Sequence, residues 1–458
     1  MENNPCAGET IFALSSGGVP SGVAVIRLSG ARAEELVCLY AREVPAPRRV
    51  SLRTLRLPET GEIVDQCLAL WFPGPDSFTG EDSAEFHCHG SRSVVTALLD
   101  SLAKQPDCRI AEPGEFARRA FDNGKLDLTS VEGLADLINA ETDAQRRQAL
   151  NQTRGGLLRV AETWRGTLIE LRAMVEARID FSDEGDVADA GPAEIERGIE
   201  QLRSDVGTVL ATADRGERVR TGFKVALAGR PNAGKSTLLN TLARREVAIV
   251  TDEPGTTRDI LEVPLDLGGF PVLVYDTAGL RAAAGKAEQE GVRRALARAG
   301  SSDLVLWLHA PEDRDTPPEP WNGSVPPLND SVPIWFVGTK ADLGNPDDAA
   351  RLPFVKKFAA RFSISAKTGD GLAGLESALQ DAASKAMTSD AAFTITRLRH
   401  KALLETAVAD LDAALAAKEE EVIAELLRRA SDALGRLIGR IDVEDVLDKL
   451  FGEFCIGK

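Results

Sequence analysis

Residues 229–236 read Gly-Arg-Pro-Asn-Ala-Gly-Lys-Ser, a glycine and four free positions followed by Gly-Lys-Ser. Glycines let the backbone turn tightly enough for successive N–H groups to point inward, and the positive end of a helix starting there favours the same negative charge. Such a loop cradles phosphate. In this reading Asn232, Ala233, Gly234 and Thr237 belong to the cradle, Lys235 reaches the β- and γ-phosphates of a nucleotide, and the Ser236 hydroxyl sits on Mg²⁺. The flanks agree: Val225-Ala226-Leu227-Ala228 reads as a strand and Thr237-Leu238-Leu239-Asn240 as the start of a helix.

Three further short motifs follow. Asp276-Thr277-Ala278-Gly279 closes an apolar run, where the aspartate can reach Mg²⁺ through water and the glycine N–H can meet a γ-phosphate. Between the two lies a turn-rich loop, Thr251-Asp252-Glu253-Pro254-Gly255-Thr256-Thr257, in which Thr257 is the hydroxyl expected to complete the Mg²⁺ shell. Both loops would be ordered by γ-phosphate and released after hydrolysis. Downstream, Thr339-Lys340-Ala341-Asp342 and Ser365-Ala366-Lys367 each follow a strand. A carboxylate accepts both donors on the guanine edge and is repelled by adenine's acceptor, so Asp342 argues for GTP over ATP. One position departs from the small GTPases like Ras: their water-orienting glutamine is replaced here by Leu280, so another residue must hold the attacking water.

The elements that must carry these motifs show in the hydrophobic period. Up to Asn123, short apolar strands (Gly22 to Ile26, Cys67 to Trp71) alternate with helical patterns (Ala31 to Tyr40, Ser91 to Leu102), the mark of a small α/β domain. Within it Trp71 to Asp82 is rich in turn formers and reads as a surface loop with a task. His87 and His89 would share one face of a strand; a metal site there needs further ligands, and two histidines on a half-buried strand is the plainer reading. From Lys125 the pattern turns helical. Thr129 and Glu132 have capping-box spacing, Leu157, Val160, Ala161, Trp164, Leu168, Leu171 and Val175 recur at helical intervals, and another helix spans Ala193 to Ala211.

From Thr221 a strand-helix alternation predicts a mostly parallel sheet with strands at Pro271 to Tyr275, Leu304 to Leu308, Ile334 to Val337 and Phe362 to Ile364. Seven prolines between Pro311 and Pro333 predict a loop. After Met387 helices return, with Leu398, Leu404, Val408, Leu411 and Leu415, then Ile423, Leu426, Leu427, Leu434 and Leu437, on one side. The expected fold is multidomain α/β plus all-α: an N-terminal α/β domain (1–123), a helical domain in two parts (124–220 and 386–458), and a Ras-like P-loop domain (221–385) inserted between them.

At 458 residues the chain is too long for one core. Its formal charge of −17, from 54 basic and 71 acidic residues, repels nucleic acid on average, so RNA contact needs a local basic patch or a partner. No apolar run approaches the roughly 20 residues of a membrane helix, and Met1-Glu2-Asn3-Asn4 lacks the basic start of a secretory signal. The six cysteines lack metal or disulfide spacing. A cytoplasmic protein is expected.

Taken together, these residues resemble the tRNA-modification GTPase family MnmE (also TrmE) over essentially the whole chain. The resemblance is carried by 229–236, Gly255-Thr256-Thr257-Arg258-Asp259, Asp276 to Arg281, the pair Asp76 to Asp82 and Pro113-Gly114-Glu115-Phe116, and the terminal Phe454-Cys455-Ile456-Gly457-Lys458. It implies a K⁺ site from Asn232, Thr251, Thr256 and the Glu253 carbonyl, formed when two nucleotide domains of a homodimer meet, with Glu288 as the catalytic, water-orienting glutamate. It implies a folate-binding-like, dimerising N-terminal domain that takes 5-formyltetrahydrofolate or a related one-carbon carrier, with Arg27, Glu85, Lys125 and Lys458 at the pocket. It further implies work with the FAD-dependent partner MnmG on carbon 5 of the wobble uridine of certain tRNAs. Cys455 is either a thiol used in that chemistry or a small buried side chain.

The family usually has Asn-Lys-x-Asp where this chain has Thr339-Lys340-Ala341-Asp342. A threonine keeps one hydroxyl but loses the amide that ties the base loop to the phosphate loop, so guanine selection is expected to survive through Asp342 while the consequence falls on affinity. Two rival readings share the nucleotide motifs. A ribosome-assembly GTPase acting as an RNA chaperone would need a basic RNA-binding domain after the nucleotide domain, where an apolar helical pattern stands instead. A folate-binding scaffold with a degenerate nucleotide domain would not hydrolyse GTP.

Overall fold

The computed structural model describes residues 8–180, 191–229, 232–245, 247–249, 262–276, 302–311, 332–344, 358–388, 395–441, 444–452, 454 and 456–457. The chain forms two compact units, one from Met1–Ala135, Gln152–Val187 and Lys418–Lys458, the other from Asp136–Asn151 and Ala188–Ala417.

The first unit is built on a sheet of β1 (Thr10–Leu14), β2 (Ser21–Ser29), β3 (Ser51–Arg56), β4 (Ile63–Phe72), β5 (Ser83–Gly90) and β6 (Cys108–Ile110), in the order β3-β4-β5-β2-β1-β6. Its pairs are antiparallel except β1 with β6. Period-2 alternation decides which side is buried: Ile26 and Leu28 of β2 and Phe86 and Cys88 of β5 face a core with Leu36 and Tyr40 of α1 (Ala33–Ala41) and Leu98 of α2 (Arg92–Leu102). Arg27, Glu85 and His87 therefore stand on the opposite face, and the register sets Arg27 directly beside Glu85. The side chain of Ser91 caps α2 by accepting from the Val94 N–H.

The remaining helices of this unit are α3 (Glu115–Asp122), α4 (Leu128–Ile138, entering the second unit at Asp136), α6 (Gly156–Asp180), α12 (Glu420–Leu437) and α13 (Glu444–Gly452). Along α6 the buried residues Leu157, Ala161, Trp164, Leu168, Leu171 and Val175 recur in alternating steps of four and three, a stripe that packs on α12. The expected capping box at Thr129 and Glu132 is corrected. The Asp127 carboxylate accepts from the N–H groups of Thr129 and Ser130 at 2.9 and 3.2 Å, so the helix starts earlier and both residues lie buried inside it. A carboxylate placed just before the first turn outcompetes a hydroxyl within it for the orphan donors. At the other end of the chain Ile456 pairs with Pro113, beside the start of α3.

The second unit holds the sheet β12-β11-β10-β7-β9-β8, from β7 (Phe223–Gly229), β8 (Glu262–Leu267), β9 (Phe270–Asp276), β10 (Leu304–His309), β11 (Ile334–Gly338) and β12 (Ala360–Ser363). Every pair is parallel except β8 with β9. Central β10 is buried at all six positions, as a strand covered on both faces must be. The same unit also holds α5 (Asp143–Thr153, whose last two residues belong to the first unit), α7 (Pro192–Leu210), α8 (Ala213–Thr221), α9 (Lys235–Ala243), α10 (Leu372–Met387) and α11 (Leu398–Ala416); α8, α9 and α10 pack on the sheet, and α7 packs on α11.

The four strands foreseen after Thr221 are present, the last at Ala360–Ser363 rather than Phe362 to Ile364, and further details differ. Antiparallel β8 is an edge strand that the sequence reading lacks, and α9 begins at Lys235 rather than Thr237 because Gly234, at φ +92°, supplies the left-handed turn directly before it. Leu398, assigned to the apolar side of α11, is 63% exposed at the first position of the helix. Residues 312–331 of the proline-rich stretch lie outside the described residues.

Candidate nucleotide site

The motifs gather at the C-terminal edge of the parallel sheet, where the positive ends of the following helices point. Gly229 ends β7 at φ +142°, and a Cβ there would stand 2.4 Å from the Leu308 carbonyl, so the chain can turn into the loop only with glycine at this position. Asn232 also takes a left-handed conformation, at φ +65°, and Ala233 is fully buried. Lys235, 5% exposed, curls back so that Nζ donates to the Gly229 carbonyl at 2.9 Å, placing the ammonium over the loop. The Ser236 hydroxyl donates to Asp276 Oδ2 at 2.8 Å. Asp276 closes β9 and is itself 5% exposed. A hydroxyl and a buried carboxylate converging at a strand end offer oxygen ligands only, the donor set that a hard divalent cation takes.

The base loops stand beside this cradle. Thr339 lacks the amide, yet the hydroxyl it keeps still ties base loop to phosphate loop. Its buried hydroxyl donates to the Ala233 carbonyl at 2.8 Å and lies 3.2 Å from the His309 carbonyl, and its N–H donates to the same His309 carbonyl. A hydroxyl reaches this acceptor directly because Thr339 leaves β11 immediately beside the loop. Lys340 then takes φ +54°, which turns Asp342 outward onto a short 3₁₀ turn, Ala341–Leu343.

Asp342 Oδ1 accepts from the Ser365 hydroxyl at 2.7 Å. This bond, with the nearby Lys367 ammonium adding to it, holds the carboxyl below the usual aspartate range, so it is ionised and oriented at neutral pH. Gly234, Thr237, Leu238, Thr339, Lys340, Asp342, Leu343, Ile364, Ala366 and Lys367 line a cavity of about 200 Å³ running from the phosphate loop to this carboxylate. Sequence reasoning missed Leu238, Leu343 and Ile364, whose apolar side chains carry no motif. Thr251, Asp252, Glu253, Pro254, Gly255, Thr256, Thr257, Thr277, Ala278, Gly279 and Glu288 lie outside the described residues.

A second cluster sits on the sheet face of the first unit opposite the α1–α2 core, partly covered by Phe116 of α3. Arg27 and Glu85 are ion-paired, Nε to Oε1 and Nη2 to Oε1 each at 3.0 Å, and His87 Nε2 lies 2.9 Å from Glu85 Oε2. The Arg27 guanidinium lies 5.6 Å from the rings of both Phe78 and Phe116. Phe78 is half exposed on the loop after β4; Phe116 is fully buried on α3. Lys125 is exposed, and a Cβ at Gly80 would come within 3.4 Å of its Cγ, so it borders the same loop. Cys455 and Lys458 lie outside the described residues.

His89, on the same face as His87, pairs with Asp65 at 2.8 Å. Burial works to raise the Asp65 pKa, but hydrogen bonds from the His89 backbone and ring outweigh it and leave the carboxyl below its ordinary range. Both histidines thus have carboxylate partners, and no group of three or more metal-ligating side chains occurs among the described residues.

A family model described as the MnmE helical domain matches residues 128–455, and one described as the GTP-binding protein TrmE N-terminus matches residues 10–125. The chain is 50% identical over 457 residues to the tRNA modification GTPase MnmE of Rhodopseudomonas palustris, covering 98% of this chain and 99% of that protein. It is 51% identical over 460 residues to the protein of the same name from Azorhizobium caulinodans, covering 99% of each. With two family models spanning most of its length and full-length relatives at half identity, the chain belongs to the MnmE (TrmE) family of tRNA modification GTPases.

Proposed function

We propose that this chain hydrolyses GTP in the modification of carbon 5 of the wobble uridine of certain tRNAs. The observation that carries the nucleotide part is the ionised Asp342, oriented by Ser365 at one end of a cavity whose other end is the phosphate loop. Lys235 would neutralise phosphate charge, and the backbone N–H groups of the loop would orient it. Ser236 and Asp276, with Thr257, would hold Mg²⁺, which supplies further neutralisation of the phosphates when bound. Asn232, Thr251, Thr256 and the Glu253 carbonyl are proposed to hold K⁺ in place of an arginine finger, and Glu288 to orient the attacking water that a glutamine at position 280 would otherwise hold.

In the first unit, Glu85 would accept from the donor edge of a reduced folate while Arg27, Lys125 and Lys458 meet its carboxylates; the partly buried Arg27–Glu85 pair, beside Phe78, supports this reading. We further infer a homodimer working with the FAD-dependent partner MnmG in the cytoplasm. The division 1–123, 124–220, 221–385 and 386–458 belongs to the same proposal, supported by the packing of α6 on α12 and of α7 on α11, helices that precede and follow the nucleotide sheet in the chain.

Mass analysis of wobble uridines in cells lacking the chain tests the whole reading. Loss of the C5 substituent, restored by the intact chain, is expected. Unchanged tRNA would favour a ribosome-assembly GTPase instead.

A further inference from the structure

The segment joining β4 to β5 carries Phe78 with 41% of its surface exposed, yet the residues that follow it are fastened down. Glu81 Oε2 accepts from Ser29 Oγ at 2.8 Å and from Arg119 Nη1 at 3.0 Å. Arg119, 8% exposed on α3, also donates to Glu115 Oε1 and to the Glu9 carbonyl, each at 3.0 Å. Glu115 in turn takes both prongs of Arg109 at 2.6 and 2.7 Å.

Thr79 meets the Ser29 hydroxyl at 2.6 Å, and its carbonyl accepts from Asn123 Nδ2 at 2.7 Å. Gly80 lies at φ +82°, where a Cβ would stand 2.9 Å from Asn123 Cβ. Residues 79–81 are thus pinned against α3 while the preceding ring reaches over the sheet to Arg27. The guanidinium is within 5.6 Å of both a fully buried ring, Phe116, and the exposed ring of Phe78 on the loop.

We propose that the Glu81–Arg119 ion pair is a latch that positions Phe78 over Arg27, and that through Phe78 it sets how tightly this face takes a planar, hydrogen-bonding heteroaromatic ring. The ligand class rests on the folate reading above; the latch rests on the geometry alone. Glu81 is a positioning residue that acts through the ring. Its carboxylate is needed as a charge, because Arg119 is withdrawn from water and attraction across 3.0 Å is weakly screened there. Glu81→Gln keeps the shape and the acceptor toward Ser29 but removes that attraction.

The test titrates the full chain with 5-formyltetrahydrofolate by calorimetry. Glu81→Gln and Phe78→Ala should each weaken binding about tenfold, and the double variant should bind no more weakly than Phe78→Ala alone, the non-additivity of two residues acting as one. Losses that multiply, or a Glu81→Gln protein that binds like the parent, overturn the proposal. Should the parent bind no reduced folate, the folate reading fails, and the latch is judged without ligand. A Phe78→Trp protein is compared with and without Glu81→Gln, the five native tryptophans removed by difference. Emission shifted to the red and quenched more by acrylamide supports the latch; identical emission refutes it.

Discussion

Replacing Thr339 by valine removes one hydroxyl and leaves the volume almost unchanged, so it isolates the tie between base loop and phosphate loop. The hydroxyl is buried and donates to the Ala233 carbonyl at 2.8 Å, with the His309 carbonyl 3.2 Å away. Ala233 is itself fully buried, so without that donor its carbonyl loses a partner where water does not readily replace it. Leaving a buried acceptor unsatisfied costs about 1–3 kcal/mol. If that strain falls on the nucleotide-binding conformation of the loops, affinity drops by roughly 5- to 150-fold at about 1.4 kcal/mol per decade. Fluorescent GDP titrated against the full chain reads this directly, with Thr339→Ser as the variant that restores the donor. Weakening by Thr339→Val with recovery by Thr339→Ser is expected. A valine protein that binds within twofold of the parent would show that the hydroxyl does not couple the loops.

Asp342→Asn presents one donor and one acceptor to the base edge, so preference should move from GTP toward XTP by more than about tenfold in competition binding. Because Ser365 and Lys367 hold the Asp342 carboxyl below its ordinary range, guanine affinity governed by this group should be flat from pH 7 down to about 5, tightening nowhere as acid is added. Arg119→Ala leaves Glu115 with Arg109 and the Glu112 N–H and leaves Glu81 with the Ser29 hydroxyl, so it should cost about 1–3 kcal/mol in urea unfolding of the full chain. Burial works to raise the Glu115 pKa, but Arg109, the Glu112 N–H and Arg119 outweigh it and depress it in the folded state. Glu115 therefore stabilises fully above its unfolded pKa, and that stability is lost as pH falls from there through the lower folded value; in Arg109→Ala the folded value lies closer to the unfolded one, so less stability is lost and the loss is complete at higher pH.

What could be read from the chain was whatever is local. The phosphate loop, its flanking strand and helix, and the strand ends bearing Asp276 and Asp342 are each written within a few consecutive residues whose turn chemistry and apolar period coincide. What escaped depends on partners far apart in sequence. The Thr339 tie spans 106 positions to Ala233, and the Arg119 contact with Glu81 spans 38. Neither has a period or a motif. Edge strand β8 does alternate, with Val263, Leu265 and Leu267 buried, but its run is short and holds Pro264, which marks an edge more than a core strand. The start of α4 was misplaced because Asp127 and Thr129 are both good caps, and only the hydrogen bonds say which one acts.

The claim on which the account turns is that this cavity selects guanine and that the residues at its phosphate end cleave the nucleotide. The most direct measurement is turnover of GTP and of ATP by the full chain with Mg²⁺, in K⁺ and again in Na⁺, beside a Ser236→Ala protein. The account predicts GTP turnover that is faster in K⁺, negligible ATP turnover, and loss of hydrolysis in Ser236→Ala. Equal cleavage of both nucleotides, or hydrolysis untouched by removing the Ser236 hydroxyl, would contradict it.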